Sequence, residues 1–139
     1  MIPIEEFKSE NKEIRDLCNI LGISLNQYTL RHNTIVCELL ERFITQVMAH
    51  LTHEDRSVYQ DLLKQHTTDA NKIADKFLGN TLELRRIFNE YNRGWCRKPH
   101  KEQDHAKYVE ESSEIFRLVC ERLNFEEEKI FPMLVGDET

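Results

Sequence analysis

Two pairs of residues, His50 with Glu54 and Arg122 with Glu126, have the types and the spacing to do chemistry in this chain. Each pair is four residues apart, about one helical turn, so both members point to one face of a helix. Imidazole nitrogen and carboxylate oxygen on facing helices suit iron, manganese or zinc, and a bundle core can hold a metal this way. A guanidinium cannot ligate, because it stays protonated and offers only donors, but it can neutralise carboxylates that a metal would otherwise bridge. The surroundings repeat too. VMAHLTHEDRSVYQDLL at 47–63 recurs 72 residues on as VCERLNFEEEKIFPMLV at 119–135, with Glu54 matched by Glu126, Val58 by Ile130, Tyr59 by Phe131 and His50 by Arg122.

Helices must position these groups, since the chain has four glycines, three prolines and few runs alternating at period two. The first segment carries Ile4, Phe7, Asn11, Ile14, Cys18 and Leu21 on one face. It ends at Gly22 or runs on toward Thr29 before a turn at 30–33. The second, from about Asn33 to Lys64, is the longest, with Val36, Leu40, Phe43, Val47, His50, Glu54 and Val58 on its stripe and Asn33 or Thr34 as cap. Residues 66–69, HTTD, read as the next turn and cap. The third covers about Ala70 to Trp95, with Thr81 the polar member of its stripe and Gly79 weakening it. Asn92, Arg93 and Gly94, followed by Arg97, Lys98, Pro99 and His100, form a basic surface loop. The fourth starts between Gln103 and Lys107 and reaches Leu134, with Ile115, Val119, Arg122, Glu126 and Ile130 inward and Pro132 kinking or ending its last turn.

Four amphipathic helices with short connections make an all-α, antiparallel up-down-up-down four-helix bundle, a single domain over 1–139. Its axis collects the polar interruptions Asn11, His50, Glu54, Thr81, Arg122 and Glu126. Counting helical levels from turns near residues 66 and 101 puts His50 level with Leu82 and Arg122 with Asn80, so both flank Thr81. Asn11 joins them if the first turn is late. The expected network is therefore Asn11, His50, Glu54, Arg122 and Glu126. His53 faces a neighbouring helix edge, and His32, His66, His100 and His105 are solvated.

Composition narrows the function. A formal net charge of −6 gives nucleic acid or an anionic membrane no global attraction. No run approaches the roughly 20 apolar residues that span a bilayer, and the start shows no signal segment, so the expected compartment is the cytoplasm. Cys18, Cys37, Cys96 and Cys120 form no C-x-x-C pair and no zinc spacing, so all four are expected reduced. Phosphate loops, nucleophile elbows and Cys/His pairs at recognisable spacing are missing, and an enzyme is not expected. Tyr28, Tyr91 and Trp95 are the aromatic anchors for a homodimer interface, should the chain not be a monomer.

HLTHED at 50–55 with Tyr59 after it, EEEKIFP at 126–132 and ENKEIR at 10–15 resemble the hemerythrin-like, or HHE, family, and the helix order resembles it over nearly the whole chain. The resemblance implies a bundle holding non-heme di-iron that binds or senses oxygen, nitric oxide or iron. It puts metal ligands at His50, Glu54 and Glu126. Three positions depart: Asn11 and Arg122 stand where the family has histidines, and the third helix has none. The expectation is a domain that has lost the di-iron site, has no cofactor, and works as a binding or regulatory module for a protein or small-ligand partner. The alternatives are a non-heme iron or other metal domain with a remodelled ligand set, and a structural, dimerising bundle.

Overall fold

Apolar residues spaced three and four apart can all be hidden at once only if the segments coil and pack stripe to stripe. The computed structural model describes residues 3–30, 32–91, 93–98 and 101–137. In it α1 spans Ile4–Ser24, α2 Thr34–Lys64, α3 Thr68–Glu90 and α4 Glu102–Phe125, and a π-helical turn at Glu126–Ile130 runs directly into α5, Phe131–Asp137. Neither strand nor bridge occurs among the described residues. Helices α1 and α3 each pack against α2 and α4, the closed ring of an up-down-up-down four-helix bundle. Of the basic loop, Asn92, Pro99 and His100 lie outside the described residues, as does Arg31 of the first connection.

Local chemistry sets the helix ends. Asn33 Oδ1 accepts from the backbone N–H groups of Ile35 and Val36, and Thr67 Oγ1 accepts from Ala70, so both helices start on side-chain caps. His66 stands at φ 55, the left-handed residue that lets α2 stop and α3 begin. Helix α1 runs through Gly22 and stops at Ser24. Helix α3 ends at Glu90 rather than Trp95, because Tyr91 turns to extended backbone and its hydroxyl meets Ser112 Oγ at 2.6 Å, while Trp95 Nε1 donates to Glu111 at 2.8 Å. Those bonds pin the connection onto α4. They also revise the interface expectation: Tyr91 is a core residue at 8% exposure, and Trp95 packs against the core. Tyr28 is the exposed member, its ring edge-on to His105 at 5.3 Å.

Pro132 neither ends nor breaks the fourth helix. Lacking an N–H, it cannot donate to the turn before it. That turn is the π segment, in which the Phe131 N–H reaches back five residues to the Glu126 carbonyl.

The expectation of four reduced thiols fails for two of them. Cys37, at the start of α2, and Cys96, between α3 and α4, form a disulfide with Cα atoms 5.6 Å apart. Their separation of 59 residues matches no short motif, so the pairing left no trace in the spacing. Cys18 and Cys120 are free thiols.

Two apolar clusters fill the bundle. One gathers Ile14, Phe43, Val47, Leu51, Leu84, Phe88, Val119 and Leu123 among others; the second holds Ile4, Phe7, Val58, Leu62, Phe77, Ile130, Phe131 and Leu134. On every helix the polar interruption lies between a residue of one cluster and a residue of the other. The core is thus divided by a polar layer at one level.

Candidate functional site

The layer forms because each helix carries its polar group at a stripe position, which cannot turn outward without exposing its apolar neighbours. His50, Glu54, Thr81, Arg122 and Glu126 are all 0–2% exposed. At the centre is the Arg122 guanidinium. Its Nε donates to Glu126 Oε2 at 2.7 Å and Nη2 to Glu54 Oε1 at 3.1 Å. Nη1 is divided among Thr81 Oγ1 at 2.8 Å, Asn80 Oδ1 at 2.9 Å and the Phe77 carbonyl at 3.3 Å. The planar head also lies 4.0 Å from the Phe77 ring centre, a cation–π contact that stacks it between the layer and the lower cluster. Arg122 flanks Asn80 and Thr81, as the level count requires.

His50 is held at both ring nitrogens. Nδ1 lies 2.6 Å from Glu10 Oε1, and Nε2 lies 2.9 Å from Glu126 Oε1 and 3.2 Å from Glu54 Oε1. Two carboxylate acceptors on opposite sides of one imidazole require both nitrogens to donate, and hence the imidazolium form. Burial opposes that charge, but the bonds to Glu10 and Glu126 and the nearby charges of Glu126 and Glu54 outweigh it, pushing His50 up to about 10. Burial and the adjacent Glu126 push Glu54 well above the ordinary carboxyl range. Burial acts the same way on Glu126, but the His50 and Glu54 hydrogen bonds and the charges of His50 and Arg122 prevail and hold it below that range. The two carboxyls are thus driven apart, Glu54 toward its neutral form and Glu126 toward its anion. Glu54 Oε2 is buried without a hydrogen-bond partner.

Asn11 is buried at the same level but lies beside the network. Its Nδ2 donates to Glu127 Oε1 at 3.4 Å, and its Oδ1 has no donor. The α1 member that reaches His50 is Glu10, one position around the helix, whose longer side chain spans from the edge of the stripe. Glu10 also accepts from His53, with Oε2 3.1 Å from Nδ1. Burial works against its charge, but the His50 and His53 bonds lower its pKa. Sequence reasoning missed Glu10 because only stripe positions were counted as inward. Its signal was present in ENKEIR, a carboxylate next to the stripe. A cavity of about 350 Å³ lined by Glu10, Glu13, Gln46, His50 and His53 among others opens at this edge between α1 and α2. Of the other histidines expected to be solvated, His32 Nδ1 donates to the Cys96 carbonyl at 2.9 Å, and His105 packs on Tyr28.

Two groups among the described residues have metal-ligand atoms close enough to share an ion: His50, Glu54 and Glu126 in the core, and Glu6, Glu10 and His53 at the α1–α2 edge. A four-helix bundle with carboxylate and imidazole converging on its axis defines the class of bundle proteins built around a core polar or metal site. Within that class the chain belongs to the hemerythrin family: the model of the hemerythrin HHE cation-binding domain matches residues 2–134. No curated protein and no solved structure matches it.

Family membership implies non-heme iron, and the residues do not fit a dimetal centre. Three core ligand positions survive, and a permanent cation already bonds both carboxylates. His50 has no lone pair to give while both ring nitrogens donate.

Proposed function

We propose that this hemerythrin domain acts as a metal-independent binding or regulatory module in which Arg122 supplies the positive charge that a metal would bring. The observation that carries this reading is the Arg122 guanidinium, bonded to Glu126 at 2.7 Å and Glu54 at 3.1 Å and 2% exposed. The cations Arg122 and His50 face the carboxylates of Glu126 and Glu10, with Glu54 pushed toward its neutral form, so charge is matched within the layer. Such a layer sets helix register more than it adds stability. In this reading the partner is a protein or small ligand, the α1–α2 edge beside His53 is where it reaches the network, and the chain works as a monomer or homodimer in the cytoplasm. The buried Cys37–Cys96 bridge removes the reduced thiols as an argument for that compartment.

A second reading, a single transition-metal ion on His50, Glu54 and Glu126, is favoured by the donor-free Glu54 Oε2. It requires His50 to lose a proton and the ion to take Glu54 Oε2 and Glu126 Oε1, the oxygens that Arg122 does not hold. Equilibrium dialysis against ferrous iron and zinc separates the two. Wild type should retain neither ion, and Arg122→His should gain binding of at least one; tight binding by wild type would instead support the second reading.

A further inference from the structure

The α1–α4 seam carries two thiols that the polar layer does not use, Cys18 inside the first apolar cluster and Cys120 packed against it. Hydrogen bonds set its register: Asn11 on α1 bonds Glu127, and one turn along, Arg15 Nη2 donates to Asn124 Oδ1 at 2.7 Å and Glu127 Oε2 at 2.8 Å. In an antiparallel pair the next step is three or four residues up α1 and the same back along α4. From Arg15 and Asn124, that step arrives at Cys18 and Cys120. Cys18 belongs to the apolar cluster against which Cys120 packs, each thiol acts on the other, and the Arg15 charge acts on both. Cys18 is 5% exposed, and Cys120 is half-buried with an open side toward solvent.

We propose that Cys18 and Cys120 are a peroxide-reactive thiol pair that closes to a disulfide between α1 and α4. Cys120 is the attacking member. Burial of its thiol is outweighed by the hydrogen bond from Cys18, with help from Arg15, and its pKa falls to about 6; Cys18 is raised by the same hydrogen bond and by burial. Unequal thiols in contact, the acidic one reachable, are the arrangement of a sensor cysteine with its resolving partner. The Cys120 thiolate attacks one oxygen of hydrogen peroxide. An S–O bond forms, the O–O bond breaks, and the departing hydroxide takes a proton to become water. Cys18 sulfur then attacks the Cys120 sulfenic acid. The S–S bond forms, the S–O bond breaks, and the leaving hydroxide takes the Cys18 proton as a second water. Two thiols lose two electrons and one peroxide gains them; a dithiol reductant reverses the step. The bridge would join the first and last long helices covalently, beside the Arg15 contacts that hold them in the reduced protein. Nothing in it depends on whether the core binds metal.

The test uses the full chain with the Cys37–Cys96 bridge intact and Cys18 and Cys120 as thiols, free of reductant, treated with equimolar hydrogen peroxide at pH 7. Remaining thiols are blocked, and the protein is digested without reduction. Tryptic peptides 16–31 and 118–122 should appear linked, in addition to the Cys37–Cys96 bridge. Cys18→Ala should abolish the link, leave a Cys120 sulfenic acid that dimedone traps, and move the midpoint of the alkylation-rate profile upward from about pH 6. Cys120→Ala should leave Cys18 unoxidised, with Cys120→Ser as a second variant if packing suffers. Wild-type Cys120 overoxidised without the linked peptide, Cys120 bridged between two chains, or equal oxidation of Cys18 in Cys120→Ala would each overturn the proposal.

Discussion

Replacing Arg122 by methionine tests the core layer where its energetics are largest. Methionine keeps most of the aliphatic stem's volume, so the change removes charge and five hydrogen bonds without opening a large cavity. Glu126 then loses its 2.7 Å partner at 0% exposure, and the Thr81 hydroxyl and Phe77 carbonyl lose a donor. Removing one member of a buried ion pair costs about 3–5 kcal/mol. His50 still faces Glu126 at 2.9 Å, so the lower half of that range applies. At a urea slope of about 1.5–2 kcal/mol/M the midpoint should fall by roughly 2 M. Circular dichroism at 222 nm follows the transition. Arg122→Met combined with Glu126→Gln should recover part of the loss, because the unpaired anion goes with its partner. An Arg122→Met midpoint within experimental error of wild type would mean that the guanidinium is not held between the carboxylates.

Three further outcomes follow from the same structure. Stability should fall on the alkaline side: His50 is raised from 6.5 to about 10, so its contribution is complete below pH 6.5 and is lost as pH rises through 10, at most about 5 kcal/mol, and the raised Glu54 acts with the same sign from its ordinary carboxyl range upward. Urea midpoints measured from pH 6 to 10 check it, and His50→Gln should flatten the curve. Gly79→Ala should stabilise by about 0.5–1 kcal/mol, since Gly79 lies inside α3 and a Cβ there meets nothing within 4 Å; thermal unfolding reads the gain. Cys37→Ser opens a loop of 59 residues and should cost about 4 kcal/mol by chain entropy, measured against wild type under non-reducing conditions.

Much of the fold was readable because hydrophobic spacing encodes helix faces directly. The bundle, the inward direction of His50, Glu54, Arg122 and Glu126, and their level with Thr81 all come from counting turns, while the cap fell to Asn33, one of two residues that the sequence offered with Thr34. What escaped the reading depended on side-chain length or on distant partners. Glu10 lies off the stripe, and only the reach of a glutamate brings it to His50. Tyr91 sits at the right period to extend α3, but its hydroxyl bond to Ser112 belongs to tertiary packing. Cys37 and Cys96 meet through the α3–α4 connection, whose path no local pattern states. Pro132 pointed to a kink or an end in the last turn, whereas a π turn precedes it and the helix runs on as α5.

The central claim is that a side-chain cation has replaced the metal. The direct measurement is iron, manganese and zinc content per chain, by elemental analysis of untagged protein supplied with ferrous iron and air, read together with its visible absorbance. The account predicts no stoichiometric metal and no oxo-bridge absorption in wild type. Two irons per chain with that absorption would contradict it, since Arg122, Glu54 and Glu126 cannot keep their hydrogen bonds and also surround a metal pair.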